Sequence, residues 1–250
     1  MTGVAKNTVQ KLLLELGATC TQYQDEAMRN LKCERLQCDE IWSFVYAKEK
    51  NVTADIAEEQ VACSVWTWTA IDADSKLIPC WLIGKRDGGC ATEFMQDLAG
   101  RLSNRGQLTT DGLKVYMNAV IDAFAGDIDY AILRKVYGAD RPDSAPYSPA
   151  VCIGCERAPM IGNPDEKHVS TSYVERANLS MRMSTRRFTR LTNAFSKKIE
   201  NHAAAIGLYF MWCIFRRTPK TLKMTPDMKA GIAQKPWTVE EIIGLLEKSN

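Results

Sequence analysis

The apolar run Leu36-Gln-Cys-Asp-Glu-Ile-Trp-Ser-Phe-Val-Tyr46 predicts a strand that carries an acidic residue, Asp39, in its interior. Asp is depleted in strands because its short side chain competes for backbone hydrogen bonds and its charge resists burial unless it is paired or bound to a metal. A second strand-like segment, 107–111, ends in Asp111. One such Asp can lie at a frayed strand end in water, but the presence of two in predicted strands suggests that both have the same role.

The pattern around residues 36–46 predicts an α/β fold. Three strands in a row are followed by helix, strand, helix and strand, which predicts a mixed five-stranded sheet flanked by helices, in the order of ribonuclease-H-like folds. Asp39 would lie on the central first strand and Asp111 at the end of its neighbour, so that their carboxylates converge. The predicted strands are 36–46, 61–72, 77–86, 107–111 and 130–137, and the predicted helices are 91–102 and 114–125.

The segments outside this sheet divide the chain into three predicted parts. Residues 1–32 are predicted to be a helix-turn-helix remnant and linker, in which residues 4–16 form one short amphipathic helix that stops at Gly17. Residues 33–218 are predicted to form a ribonuclease-H-like domain, with a long irregular Pro-rich loop at 138–170 and helices at 172–192 and 197–217. Residues 219–250 form a tail with short helices that begin at Pro226 and at the Thr238 capping box.

A third acidic residue, Glu175, opens the predicted helix 172–192. A helix that begins there and crosses the end of the sheet would bring this carboxylate to Asp39 and Asp111. Hard divalent ions take oxygen ligands, so the three residues predict a site for Mg²⁺ or Mn²⁺ that cleaves phosphodiesters. The competing interpretation is a capping box from Ser172 to Glu175. Glu40, Asp72 and Asp74 are poorer candidates, because Glu40 points to the opposite strand face and the other two lie in a turn.

Positive charge is concentrated beside Glu175. Between residues 167 and 220 there are eleven Lys and Arg residues against two Glu residues, although the net charge of the chain is only +2. Phosphate is the natural counterpart of such a surface, whereas a solvated helix that binds nothing is the alternative. A separate set near the start of the chain could enter a DNA groove. The predicted DNA-binding residues are Arg176, Arg182, Arg186, Arg187, Arg190, Lys197 and Lys198, together with Lys6, Asn7 and Thr8.

Composition excludes several classes of protein. With 46% hydrophobic and 25% charged residues and no apolar stretch near the roughly 20 residues that span a bilayer, the sequence predicts no membrane segment. Nine scattered Cys residues indicate reduced thiols and a cytoplasmic location. Cys152 and Cys155 have the spacing of half a zinc site, but no matching pair follows, so no structural zinc is predicted. His202 is predicted to be a core or surface histidine, and the strand tryptophans to be core residues.

Several of these segments resemble bacterial DDE transposases of the insertion-sequence-one type. The resemblance lies in Asp39-Glu-Ile-Trp-Ser-Phe44, in Thr110-Asp-Gly-Leu-Lys-Val-Tyr116 and above all in the block from Thr171 to Lys198. It implies a ribonuclease-H-like domain in which Asp39, Asp111 and Glu175 bind Mg²⁺, act at transposon ends and transfer the freed 3′ hydroxyl into target DNA. It also implies a homodimer or higher oligomer on inverted-repeat ends, associated with the bacterial nucleoid.

Two departures from that family keep alternatives open. Only the final helix of an expected N-terminal zinc-binding and helix-turn-helix region is predicted, which suggests a shortened chain. The segment Trp212-Cys-Ile-Phe-Arg-Arg-Thr-Pro-Lys220 stands where relatives tend to have polar and His-containing sequence. The alternatives are a related nuclease that hydrolyses without strand transfer and a DNA-binding remnant that occupies transposon ends without chemistry.

Overall fold

The computed structural model describes residues 3–48, 51–52, 64–138, 151–189 and 192–248. Its strands are β1 (Arg35–Phe44), β2 (Ser64–Asp72), β3 (Trp81–Gly84), β4 (Gln107–Thr110), β5 (Asp129–Tyr137) and β6 (Cys152–Ile161). They form one sheet in the order β3-β2-β1-β4-β5-β6. The pairs β1–β4 and β4–β5 are parallel, and the other neighbours are antiparallel. The chain is therefore an α/β protein with a mixed sheet, in which β1 has the predicted central position.

The helices flank this sheet. The five longer ones are α1 (Lys6–Ala27), α2 (Gly88–Arg101), α3 (Val115–Phe124), α4 (Ser172–Ser184) and α5 (Ile199–Met211). Three short ones follow, namely α6 (Pro226–Lys229), α7 (Val239–Ile243) and α8 (Leu245–Lys248). The predicted starts of α6 at Pro226 and of α7 at the Thr238 capping box are confirmed. None of the helices in the described residues is long and apolar enough to cross a membrane.

The prediction of an irregular loop over 138–170 is wrong for its second half, because residues 152–161 form β6. This strand pairs with β5 at the edge of the sheet, and eight of its ten residues are exposed. An edge strand in water lacks the apolar alternation that identifies a half-buried strand, and it tolerates a residue such as Pro159. The sheet consequently has six strands instead of the predicted five. Residues 139–150, with three of the loop prolines, lie outside the described residues.

Three predicted helix boundaries also change. Helix α1 does not stop at Gly17 but continues to Ala27, and Gly17 packs directly against Ala204 of α5. The helix predicted over 172–192 ends at Ser184, and a short 3₁₀ turn follows at Arg186–Phe188. The helix predicted over 197–217 is α5, which passes into a π-helix at Trp212–Arg216. The start of the strand predicted over 61–72 falls partly outside the described residues.

The core on one side of the sheet is built around Trp68 of β2. Its indole ring is fully buried and lies 6.0 Å from the ring of Phe94 on α2 and 5.4 Å from the ring of Tyr116 on α3, measured between centroids. This confirms the predicted core role of Trp68. Trp66 and Trp81 are only partly buried, and Trp81 lies 5.5 Å from the ring of Phe210.

His202 of α5 is a fully buried histidine that joins two separated parts of the chain, which confirms the core alternative predicted for it. Its Nε2 atom lies 3.1 Å from the Ser43 hydroxyl on β1, and its Nδ1 atom lies 3.1 Å from the Ser196 hydroxyl. Arg187 donates a hydrogen bond to the same Ser196 hydroxyl. Burial, together with the nearby charge of Arg187, lowers the pKa of His202 to about 4. The imidazole is therefore neutral in the folded chain at pH 7.

This buried imidazole predicts a loss of stability in acid. The unfolded chain takes up a proton at His202 near pH 6.5, whereas the folded chain does so only near pH 4, so its contribution to stability falls as the pH drops through this range. The full loss amounts to about 3 kcal/mol. We expect the difference in unfolding free energy between the wild type and His202→Gln, measured in urea, to shrink between pH 7 and pH 4. A difference that stayed constant would contradict the buried neutral imidazole.

Candidate metal centre and basic surface

Asp39 and Asp111 lie beside each other because of the parallel register between β1 and β4. The last pair in that register is Cys38 with Thr110, and Asp39 and Asp111 are the next residue on each strand. Asp111 follows directly after the end of β4, where its Oδ1 accepts a hydrogen bond of 2.9 Å from the Leu113 amide. The two carboxylates are thus at the same end of the sheet, as the sequence predicted.

Helix α4, which carries Glu175, is held against β1 by two side chains that the sequence argument did not identify. The buried Gln37 on β1 accepts hydrogen bonds from the amides of Tyr173 and Val174 in the first turn of α4, at 2.8 and 3.2 Å. One turn further, Asn178 donates to Asp39 Oδ2 at 2.9 Å. Because Glu175 and Asn178 are three residues apart, they share one helix face. This spacing is the signal that could have identified Asn178.

Glu175 has two partners, and neither is a free amide of the helix start. Its Oε1 accepts a hydrogen bond of 2.6 Å from the Thr171 hydroxyl, and its Oε2 forms an ion pair with Lys135 of β5. The residue that precedes α4 is Thr171, and its side chain makes no capping hydrogen bond. The alternative of a capping box between Ser172 and Glu175 is therefore wrong, and the carboxylate is directed toward β5.

Glu40 joins the acidic cluster, although strand alternation had made it a poorer candidate. One oxygen from each of Asp39, Glu40 and Asp111 can be chosen so that all three lie within 4.8 Å of one another. Asp111 lies beyond the last residue of β4, so it is not confined to one face of the sheet and can approach both neighbours. The Glu40 side chain is fully buried, and its Oε2 accepts a hydrogen bond of 3.0 Å from Arg86 Nε.

Arg86 links Glu40 to the rest of the cluster. Its Nη2 atom lies 3.8 Å from Asp111 Oδ2, and its guanidinium lies 4.7 Å from the centroid of the Trp66 ring. The indole surface holds the guanidinium by a cation–π contact. Trp66 therefore positions a cation beside two of the carboxylates, a role that differs from the core packing predicted for it.

The electrostatics of the cluster favour the uptake of positive charge. Burial raises the pKa of Asp39 to about 6, and the charges of Asp111 and Glu175 act in the same direction. Burial also raises the pKa of Glu40 to about 7, with further contributions from Asp111 and Asp39 and opposing ones from the Tyr116 hydroxyl and Arg86. Each shift means that an ionised carboxylate is disfavoured where it stands. A cation placed among these groups would lower that cost.

The cluster opens into a cavity of about 660 Å³, which has both acidic and basic walls. The cavity lining includes the three predicted acids Asp39, Asp111 and Glu175, together with the cations Arg86, Arg134 and Lys135. The donor set consists of carboxylate oxygens, which suits a hard divalent ion such as Mg²⁺ or Mn²⁺. The residues present therefore fit such an ion, and their role as ligands stays a prediction.

The thiols predicted as loop residues lie on β6 instead. Cys152 and Cys155 are both exposed. Within the described part of the chain, Asp39, Glu40 and Asp111 form the one group of three or more His, Cys, Asp or Glu side chains that could hold a metal.

The basic residues lie along α4 and beyond its C-terminal end. Arg176, Arg186, Lys197 and Lys198 are exposed, whereas Arg182 and Arg187 are partly buried, the latter bonded to Ser196. Lys6, Asn7 and Thr8 are exposed in the first turn of α1. Arg190 lies outside the described residues. Their contact with DNA stays a prediction.

No protein-family model and no curated protein matches this chain. Among solved structures it is similar to a piggyBac transposase in a synaptic complex with hairpin DNA, with a TM-score of 0.36 and 10% sequence identity. The match covers 87% of this chain and 52% of the other, so the chain spans about half the length of that protein. A TM-score this low assigns neither fold nor function.

Proposed function

We propose that this chain is a metal-dependent DNA transposase of the insertion-sequence-one type, with a ribonuclease-H-like catalytic domain over residues 33–218. Its task is to cleave DNA at transposon ends and to transfer the freed 3′ hydroxyl strand into target DNA. The observation that carries the proposal is the convergence of Asp39, Asp111 and Glu175 on one cavity that is also lined by Arg134 and Lys135. The central place of β1 beside β4 provides the frame that a ribonuclease-H-like interpretation requires.

In this proposal Asp39, Asp111 and Glu175 would hold one or two Mg²⁺ or Mn²⁺ ions, although Glu175 lines the same cavity without belonging to the carboxylate group that lies within 4.8 Å. When bound, such ions activate the attacking hydroxyl and stabilise the leaving oxygen of an in-line phosphodiester displacement. Glu40 is placed to orient Arg86 toward Asp111 by its hydrogen bond to Nε. The chain's own cations, Arg134 and Lys135, would bind the nonbridging oxygens of the phosphate that enters the cavity.

The ion pair between Lys135 and Glu175 suggests that Lys135 has two successive partners, first Glu175 and then a DNA phosphate. With Glu175 held by Lys135 and Thr171, the carboxylate is already oriented at the cavity wall. A divalent ion is a stronger partner for the carboxylate than one ammonium group, because it carries twice the charge. With Glu175 holding the ion, Lys135 would be able to contact a phosphate. Lys135 would therefore orient Glu175 in the free chain and bind phosphate in the DNA-bound chain.

The remaining parts of the proposal concern DNA and assembly. The basic residues of α4, the segment that follows it and α1 would hold the DNA backbone, with residues 1–32 as the end-recognition segment and 219–250 as a helical tail. Paired transposon ends require two active sites, so we propose a homodimer or higher oligomer on DNA in the bacterial cytoplasm. The products of one reaction distinguish this proposal from the two alternatives, a nuclease and a protein that only binds DNA.

The reaction that tests the proposal uses a labelled duplex made from the DNA that flanks the coding sequence, a supercoiled target plasmid and Mg²⁺. We expect label to become covalently joined to the plasmid, because the hydroxyl oxygen attacks target phosphorus as the bond to the leaving 3′ oxygen breaks. Reactions with EDTA are the control. Label cut but never joined would identify a nuclease, and DNA bound but uncut would identify a protein that only occupies the ends.

A further inference from the structure

A groove at the far end of α4 combines positive charge with aromatic surface. One part, the basic cavity, has a volume of about 480 Å³ and is lined by four cations, Lys6, Arg186, Arg187 and Lys197. The adjoining part, the aromatic cavity, has about 500 Å³ and is lined by Tyr209, Trp212 and Arg217. Leu13, Ser184 and Arg187 line both parts, so the two cavities lie side by side.

The charge of this groove selects for a polyanion. Among the described residues, its lining contains no acidic side chain. Lys6 comes from the first turn of α1, whereas Arg186 and Lys197 come from the segment between α4 and α5, so the fold brings these charges together from distant positions. A cation cluster drawn from separate elements, with an adjoining ring surface, is the pattern by which single-stranded nucleic acid is bound through phosphates and stacked bases.

Trp212 has an unusual position for an indole in this chain. It is 46% exposed, and it is the first residue of the π-helix that follows α5. π-Helical turns are rare and occur frequently at functional sites. The Arg216 guanidinium lies 5.9 Å from the ring centroid, so one side of the indole already has a cationic neighbour. The sequence had distinguished the segment 212–220 as a departure from its family resemblance, and the metal site does not use it.

We propose that this groove binds a single DNA strand, with phosphates in the basic cavity and a base stacked on Trp212. The inference rests on the proposed function, because it takes the ligand to be the DNA that also reaches the acidic cavity. Ser184 ends α4 nine residues after Glu175, a separation of about 14 Å along the helix at 1.5 Å per residue.

The test measures the affinity of the full chain for a fluorescent dT20 oligonucleotide by anisotropy, in EDTA so that no cleavage occurs. Trp212→Ala should weaken binding about tenfold, since stacking of one base is lost, and Trp212→Phe should retain most of the affinity. Ile243→Ala, which also truncates an exposed apolar side chain, is the matched control and should bind as the wild type does. Circular dichroism confirms that each variant is folded.

A second measurement does not depend on Trp212. The double variant Lys6→Gln, Lys197→Gln should reduce the slope of log affinity against log salt by about 1.4, because each phosphate contact to a single strand contributes about 0.7. The exposed Lys32→Gln is the control. Wild-type binding that is unchanged in both the Trp212 and the lysine variants would overturn the groove and leave the proposed function standing. A wild-type chain that binds neither dT20 nor duplex DNA would overturn both.

Discussion

Asp39→Asn is expected to abolish DNA cleavage and joining, with a loss of about a thousandfold, while leaving the folded chain at least as stable as the wild type. The substitution keeps the size of the side chain and an oxygen that can accept the Asn178 hydrogen bond. It removes the charge that a metal ion would bind. Joined and cleaved products are measured on a gel, and thermal unfolding is followed in metal-free buffer at pH 7.

The gain or retention of stability distinguishes this site from an ordinary structural carboxylate. Burial, with the nearby charge of Asp111, raises the pKa of Asp39 to about 6, so the folded chain binds a proton there more tightly than the unfolded chain does. Asp39 therefore destabilises the fold as the pH rises from about 4 through 6, and at pH 7 the full cost is present. Asn carries no such cost.

Mn²⁺ provides the complementary measurement. At about a hundred times its Kd the ion should stabilise the wild type by about 2.7 kcal/mol, and it should not stabilise Asp39→Asn measurably. Asp122→Asn, which changes an exposed acid on α3, should behave as the wild type in every assay. If Asp39→Asn still cleaved DNA, or if Mn²⁺ stabilised both chains equally, the assignment of Asp39 as a metal ligand would be wrong.

The sequence predicts which strands bring the acidic residues of this site together, but it does not predict the side chains that contact them. Strand alternation and element order were sufficient to bring Asp39 and Asp111 together, because parallel strands that are neighbours end at the same edge of a sheet. They could not reveal that Gln37 receives the first amides of α4 or that Arg86 lies on Trp66, since these contacts join segments that no periodic pattern connects. Strand alternation disfavours Glu40 as a neighbour of Asp39, but the alternation constrains only residues inside strands, and Asp111 lies just past the end of β4.

The missed strand and the misplaced helix end have different causes. β6 is exposed on both faces, so it has no buried side to leave an alternating pattern in the sequence. The sequence predicts a helix stop at Gly17 because Gly often follows the last helical turn. A Gly inside a helix is indistinguishable from one at its end until the opposing surface is known. In α1 that opposing surface is α5.

Gly17→Ala is accordingly expected to destabilise the chain by about 3 kcal/mol, although the same change in an exposed helix is favourable. A Cβ atom at Gly17 would lie 2.5 Å from both the Cα and the carbonyl oxygen of Ala204, closer than atoms approach in folded proteins. Both contacts are to backbone atoms, so no side chain can rotate away and the two helices must separate. The midpoint of unfolding in urea measures the loss.

Gly100→Ala is the matched control, because Gly100 is also inside a helix and a Cβ atom there would meet nothing within 4 Å. This variant should be more stable than the wild type by up to about 1 kcal/mol, the difference in helix propensity between the two residues. If the two Gly→Ala substitutions change the unfolding free energy in opposite directions, the contact between α1 and α5 determines the loss at Gly17. That contact also supports the site, since α5 carries His202 to Ser43 on β1, the strand that carries Asp39. A Gly17→Ala chain as stable as Gly100→Ala would mean that α1 does not pack against α5 in this way.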